Sequence, residues 1–187
     1  MKLHIKNMVC SRCKMIVRSE LEKLGLEPVS VELGEVKLSS DISKERKSEV
    51  ERMLQHYGFA LIDDKKSRLI EKVKNRIIAL VHGLEKDFPK TNLSGYLSAE
   101  LHHDYTYLSN IFTQTEGTTI EKYFIAQRIE RAKELLVYDE LSLSEIAFLL
   151  HYSSVAHLSR QFKKVTGLTP SHFKKLGEHR RKPLEEI

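Results

Sequence analysis

Apolar and polar residues alternate over residues 2–7, with Leu3 and Ile5 on one side and His4 and Lys6 on the other, a period of two that predicts a strand. The period then changes. Ile16, Val17, Leu21 and Leu24 fall at helical spacing between Lys14 and Leu24, and Gly25 ends that helix. Val29, Val31 and Leu33 alternate again, Gly34-Glu35 supplies a turn, and Val36 and Leu38 form the returning strand. Ile42, Val50, Met53, Leu54 and Tyr57 mark a second helix closed by Gly58, and Phe59 to Ile62 is a short apolar strand. Residues 64–83 carry a stripe of Leu69, Ile70, Val73, Ile77, Leu80 and Val81, which predicts one amphipathic helix capped by Gly83. Residues 84–92 contain Pro89 and read as a linker. After them no alternating run occurs, and helix is predicted throughout.

The first third therefore reads β-α-β-β-α-β in about 62 residues, the split βαβ or ferredoxin-like plan. The fold class that follows is α+β: an N-terminal ferredoxin-like domain, residues 1–64, and then an all-α domain with two helix-turn-helix units. The second half holds an internal repeat. Residues 108–119 and 158–169 share L-S-x-x-F-x-x-x-x-G-x-T: Leu108 and Leu158, Ser109 and Ser159, Phe112 and Phe162, Gly117 and Gly167, Thr119 and Thr169. Short apolar helices, Leu93 to Leu101 and Leu143 to Leu150, precede the two copies. His102-His103-Asp104 and His151-Tyr152-Ser153 separate the members of each pair. That is helix, tight turn, helix, twice. Thr118-x-x-Glu121 reads as a capping box opening a long helix through Val137, and Ser142-x-x-Glu145 as another.

Charge separates the same regions. Residues 1–64 hold 11 basic and 11 acidic side chains, whereas residues 65–187 hold 20 and 15. Within residues 156–182, Arg160, Lys163, Lys164, Lys174, Lys175, Arg180, Arg181 and Lys182 face the single acid Glu178, a local excess suited to nucleic acid. A basic and then acidic tail, 177–187, closes the chain. No run approaches the roughly 18 consecutive apolar residues of a membrane span. The first residues lack the apolar core of a signal peptide, so a cytoplasmic protein with no membrane partner is expected.

In the first copy Leu108, Ile111 and Phe112 must face a core, which turns Thr106, Ser109, Asn110 and Thr113 outward. In the second, Leu158, Phe162 and Val165 face the core, and Ala156, Ser159, Arg160 and Lys163 face out. Such faces suit the major groove of double-stranded DNA, where Asn pairs with adenine and Arg with guanine. Residues 92–176 resemble the AraC/XylS family DNA-binding domain through I-E-R-A-K-E-L-L (129–136), L-S-E-I-A-F-L-L (143–150), S-S-V-A-H-L-S-R-Q-F-K-K (153–164) and T-G-L-T-P-S-H-F (166–173). The resemblance implies a bacterial transcription regulator whose two helix-turn-helix units, joined by a long helix, enter successive major grooves. Two departures stand out: His102 and His151 occupy turn positions where the family often has Gly, and the first reading helix has no Lys or Arg.

The two cysteines form one C-x-x-C, M-V-C-S-R-C at residues 8–13, after a predicted strand and at the start of a predicted helix. In a reducing compartment this spacing points to metal or redox chemistry. Cys13 near a helix N-terminus is expected to have a lowered thiol pKa. Two thiolates suit a soft ion, Cu(I) best, whereas tetrahedral Zn(II) asks for further ligands. Motif and element order resemble heavy-metal-associated domains, as in copper chaperones and copper-transporting ATPases. That resemblance implies that Cys10 and Cys13 bind metal, that Met8 lies in the core beneath the loop, and that Phe59 approaches the site. The family more often has Gly and Thr where this chain has Asn7 and Val9.

No Gly-rich phosphate loop and no His-Glu-x-x-His occurs, and Asp63-Asp64 and Asp139-Glu140 read as solvated element ends, so no enzyme is expected. The reading is a metal-responsive DNA-binding regulator in which residues 65–91 connect the two domains. The apolar stripe of 65–83 docks on the DNA-binding domain or on its copy in a homodimer. Two other classes stay open: a metallochaperone whose helical part docks a protein, and a regulator that senses redox state through a Cys10–Cys13 disulfide.

Overall fold

The computed structural model describes residues 1–62, 64–83, 92–138 and 140–175. Of the linker read at 84–92, residues 84–91 lie outside the described residues, as do Asp63, Asp139 and residues 176–187, which include the tail read at 177–187. Two compact units are present: Met1–Arg76 with Pro89–Thr115, and Ile77–Phe88 with Glu116–Ile187.

In the first unit the order is β1 (Lys2–Lys6), α1 (Ser11–Lys23), β2 (Pro28–Glu32), β3 (Glu35–Leu38), α2 (Lys44–His56), β4 (Ala60–Leu61) and the start of α3 (Lys65–Val81), with α4 (Leu93–Leu101) and α5 (Tyr105–Glu116) further along the chain. The strands form a small antiparallel sheet in the order β2-β3-β1-β4. Leu3, Ile5, Val36 and Leu38 are buried on one face, and the helix stripes of Val17 and Leu21 and of Val50 and Leu54 are buried with them.

Five sequence expectations fail locally; Ile42, read as part of the second helix, lies before its N-cap Ser43. Val29 is 59% exposed, because the register slips between Pro28 and Ser30 and this bulge turns Val29 outward. The turn is Leu33-Gly34, not Gly34-Glu35, since Glu32 pairs with Glu35 across it. Ile16 lies at the edge of the stripe formed by Cys13, Val17 and Leu21 and is 37% exposed. Tyr57 caps α2 instead of entering the core.

α3 opens on Asp64, whose Oδ1 accepts the Ser67 N–H at 2.8 Å, and ends at Gly83 with φ +65°. Its stripe is buried within one chain: Ile70, Val73, Ile77, Ile78, Leu80 and Val81 are covered, and Leu69 is half-buried. The first turns of α3 lie against the sheet face that carries His4 and Glu35, a seat no local sequence pattern encodes. Arg68, Glu71, Lys72 and Asn75 line a small polar cleft there with His4, Gly34 and Glu35. Burial, reinforced by the Arg68 charge, holds the His4 pKa below its usual value. Gly34 has φ +79°, which strains any other residue there, and an added Cβ would stand 2.6 Å from the Asn75 amide nitrogen, which would have to move aside.

The second unit continues with α6 (Ile120–Tyr138), α7 (Leu143–Leu149), α8 (Val155–Thr166) and α9 (Pro170–Lys175). Its core includes Ile120, Ile129, Ala132, Ile146, Leu158, Phe162 and Phe173, with the Phe162 and Phe173 rings edge to face at 5.5 Å. The cap of α6 is Thr119, which accepts the Lys122 N–H, and not Thr118; the Ser142–Glu145 capping box of α7 forms as read. No described helix is long and apolar enough to cross a membrane.

Gln127 on α6 is fully buried, and neither atom of its amide has a hydrogen-bond partner among the described residues. A buried unpaired amide costs about 1–3 kcal/mol. Gln127→Leu keeps the volume and removes the polar group. It is expected to raise unfolding stability by about 1–3 kcal/mol in urea denaturation, and an unchanged or lower midpoint would show that the amide is satisfied.

Candidate nucleic-acid interface and thiol pair

Each helical hairpin turns on a histidine in the left-handed region, His102 at φ +54° and His151 at φ +55°. In the second, the Tyr152 N–H reaches the Ala147 carbonyl at 2.8 Å and the His151 N–H reaches the Phe148 carbonyl at 2.9 Å. This Schellman closure needs positive φ at the residue after the cap. Histidine there costs about 1 kcal/mol relative to glycine. His102→Gly is therefore expected to stabilise the chain by about 1 kcal/mol, and a loss in thermal unfolding midpoint would contradict it.

Arg128, on α6, secures the second turn. Its guanidinium carbon lies 3.6 Å from the Tyr152 ring centroid, and its Nη2 donates to the Leu150 carbonyl at the end of α7. Burial lowers the Arg128 pKa from its high normal value. The buried Tyr152 passes the restraint on, because its hydroxyl donates to Gln161 Oε1 of α8 at 2.6 Å. α8 is then capped by Ser154, whose Oγ accepts the His157 N–H at 3.1 Å.

On α5, Leu108, Ile111 and Phe112 are buried and Thr106, Asn110 and Thr113 are exposed as expected, with Ser109 half-buried. On α8, Leu158 and Phe162 are buried, Ala156, Arg160 and Lys163 are exposed, and Ser159 is half-buried. Val165, expected in the core, is 48% exposed: it lies in the last turn, and helical period does not reveal where the packing partners end. Tyr107, 45% exposed, and the exposed Gln114 and Lys164 belong to the same outward surfaces and were missed. The seven-residue spacing of Tyr107 and Gln114 already puts them on one helix face.

The thiols lie where β1 gives way to α1, in the first unit. Asn7 has φ +70°, a conformation that Gly adopts freely and Asn tolerates. Its Nδ2 donates to the Gly58 carbonyl at 2.9 Å, and its N–H points to Glu71 Oε2 of α3 at 3.4 Å. Met8 is fully buried beneath the loop, and Phe59 is 5% exposed. Cys10 is the N-cap of α1, Cys13 lies in its first turn, and their sulfurs are 3.3 Å apart. Burial pushes the Cys13 thiol pKa up, against the backbone hydrogen bonds from Val9 and Cys10 that favour the thiolate. The expected lowering by the helix terminus is thus overridden by desolvation. Two sulfurs bound at about 2.3 Å to one ion stand at most about 4.6 Å apart, so a modest rotation of either side chain admits a soft cation between them. Among the described residues no group of three or more His, Cys, Asp or Glu side chains is placed to hold a metal ion.

Residues 97–176 match the family described as "Helix-turn-helix domain". The chain is 28% identical over 154 residues to an uncharacterized HTH-type transcriptional regulator, YtdP, of Bacillus subtilis, covering 81% of this chain and 20% of that protein. It is 30% identical over 79 residues to the Msm operon regulatory protein of Streptococcus mutans, covering 42% of this chain and 28% of that protein. This chain therefore spans under a third of these relatives' length. Among solved structures, the C-terminal domain of AraT, a response regulator from Geobacillus stearothermophilus, shares the fold with a TM-score of 0.52 at 23% identity, over 64% of this chain and 95% of that one.

Proposed function

We propose that this chain, whose residues 97–176 match a helix-turn-helix domain family, is a sequence-specific DNA-binding transcription regulator of the AraC type that responds to a soft metal ion. The observation that carries the DNA reading is the pair of capped hairpins, each offering one exposed polar face: Thr106, Asn110 and Thr113 on α5, and Ala156, Arg160 and Lys163 on α8. Arg160 is suited to a guanine and Lys163 to a phosphate. Arg160→Ala is expected to cost about 1–3 kcal/mol on the preferred duplex and to relax one base position. Lys163→Ala is expected to weaken all duplexes and to reduce the salt slope by about one. Equal loss on preferred and random DNA for Arg160→Ala would remove the base-reading role.

For the metal reading, the support is chemical: two sulfurs 3.3 Å apart, on a loop over a buried Met8, in a β-α-β-β-α-β module with sheet order β2-β3-β1-β4, as in a ferredoxin-like heavy-metal-associated domain. Cys10 and Cys13 would hold Cu(I). The domain limits that go with this reading are 1–64 for the metal module, 65–91 for the connection and 92–176 for the DNA module. Asn7 joins the metal loop to α3 through Glu71, so a change at the loop has a physical route to the helix that leaves the module. The same sulfur separation favours one second reading, a Cys10–Cys13 disulfide as a redox signal. Anaerobic Cu(I) titration against oxidant treatment separates the two.

A further inference from the structure

The two reading helices differ in chemistry. None of the twelve residues of α5 is Lys or Arg, and its exposed residues include Thr106, Asn110, Thr113 and Gln114. Thr106, Asn110 and Thr113 follow one another at i, i+4 and i+7, and Gln114 lies one turn from Asn110, so the side chains share one face. Asn and Gln each carry a donor and an acceptor side by side, the pattern that matches N6 and N7 of adenine, and the threonine methyls suit the methyl of thymine.

The start of α5 adds nothing for phosphate. Asp104 Oδ1 accepts the N–H groups of Thr106 at 2.8 Å and Tyr107 at 3.3 Å, which puts a carboxylate where a helix terminus otherwise attracts anions. α8 is the reverse: its cap is the neutral Ser154, and Arg160, Lys163 and Lys164 are exposed along it.

We infer that the two helices divide the work on DNA: α5 selects A·T base pairs through Asn110 and Gln114, and α8 supplies the phosphate grip and the guanine contact. This rests on the DNA-binding reading above and assigns its base preference helix by helix. Affinity for any duplex, and its salt dependence, then reside in α8, and discrimination among A·T-containing sites resides in α5.

The test uses the full chain and duplexes selected from a random pool. The selected sites should contain one block of A·T pairs and one block with a conserved G·C pair. Asn110→Ala with Gln114→Ala, both at exposed positions that leave the core intact, should lower affinity for the selected duplex roughly 10- to 100-fold. It should abolish preference within the A·T block, cost far less on random DNA than on the selected duplex, and not lower the salt slope by a whole phosphate contact. Lys163→Ala with Lys164→Ala should lower affinity for selected and random duplexes alike and reduce the salt slope by about two. If wild type selects a sequence but the Asn110/Gln114 variant keeps the same preferences, or loses random-DNA affinity equally, the division of labour is wrong while DNA reading stands. If wild type selects no sequence, both fall together.

Discussion

Replacing Arg128 with alanine is expected to remove about 3 kcal/mol of stability and to lower affinity for all DNA at least tenfold. The guanidinium stacks on Tyr152, donates to the Leu150 carbonyl, and through Tyr152 and Gln161 ties the turn of the second hairpin to α8. Its loss uncovers a buried ring and leaves a helix-end carbonyl without its donor. Arg128 touches no outward face, so the DNA effect would come from the seating of α8 and would be equal on preferred and random duplexes. Lysine should not rescue it, because a point ammonium does not stack as the planar group does. Urea denaturation of Arg128→Ala with a loss under about 0.5 kcal/mol would show that the stack is ornamental to the fold.

The second large effect concerns the thiols. Cys10→Ser with Cys13→Ser is expected to abolish tight Cu(I) uptake at one ion per chain and to leave the folded state intact. Leu3, Ile5, Val17, Leu21, Val36, Val50 and Leu54 bury the core of this module without any ion. Anaerobic titration against a Cu(I) chelator of known affinity, with circular dichroism as the folding control, reads both quantities. Tight uptake of one Cu(I) by the double variant would place the site elsewhere.

Elements whose sequence period matches their packing were legible in advance. β1, α1, α2 and α3 follow from alternation or from i, i+4 stripes ended by Gly25, Gly58 and Gly83, and all three glycines have positive φ. The repeat located both hairpins, because Leu108 and Leu158, and Phe112 and Phe162, are each fully buried. The failures have local causes. A bulge moved Val29, and the end of α8 left Val165 uncovered. α9 is six residues long, too short for a period, although Thr169 before Pro170 is a helix-start signal that could have been read. Gln127 sits where the stripe of Ile120 and Tyr123 continues, yet its polar character hid it from an apolar count. The Asn7–Glu71 contact joins residues 64 positions apart, and no local pattern encodes it.

At the site, the outward faces were readable because turning Leu108 and Leu158 inward leaves little choice for their neighbours. The rise in the Cys13 pKa was not, since burial against a folded core is a tertiary property that overrode the local helix-terminus effect. The histidine turns lay between: the departure from Gly was visible, and the φ values show that the left-handed conformation is kept.

The most direct measurement is the equilibrium Kd of the reduced full chain for a selected duplex and for a scrambled duplex of equal length, at one fixed salt concentration, with and without one equivalent of Cu(I). The account predicts at least about 10³-fold tighter binding to the selected duplex. It also predicts a Cu(I)-dependent change of about 5- to 150-fold that the Cys10→Ser, Cys13→Ser variant lacks. Equal Kd values for selected and scrambled DNA would contradict the claim that α5 and α8 read sequence, and an unchanged Kd with Cu(I) would contradict the claim that the thiol pair governs them.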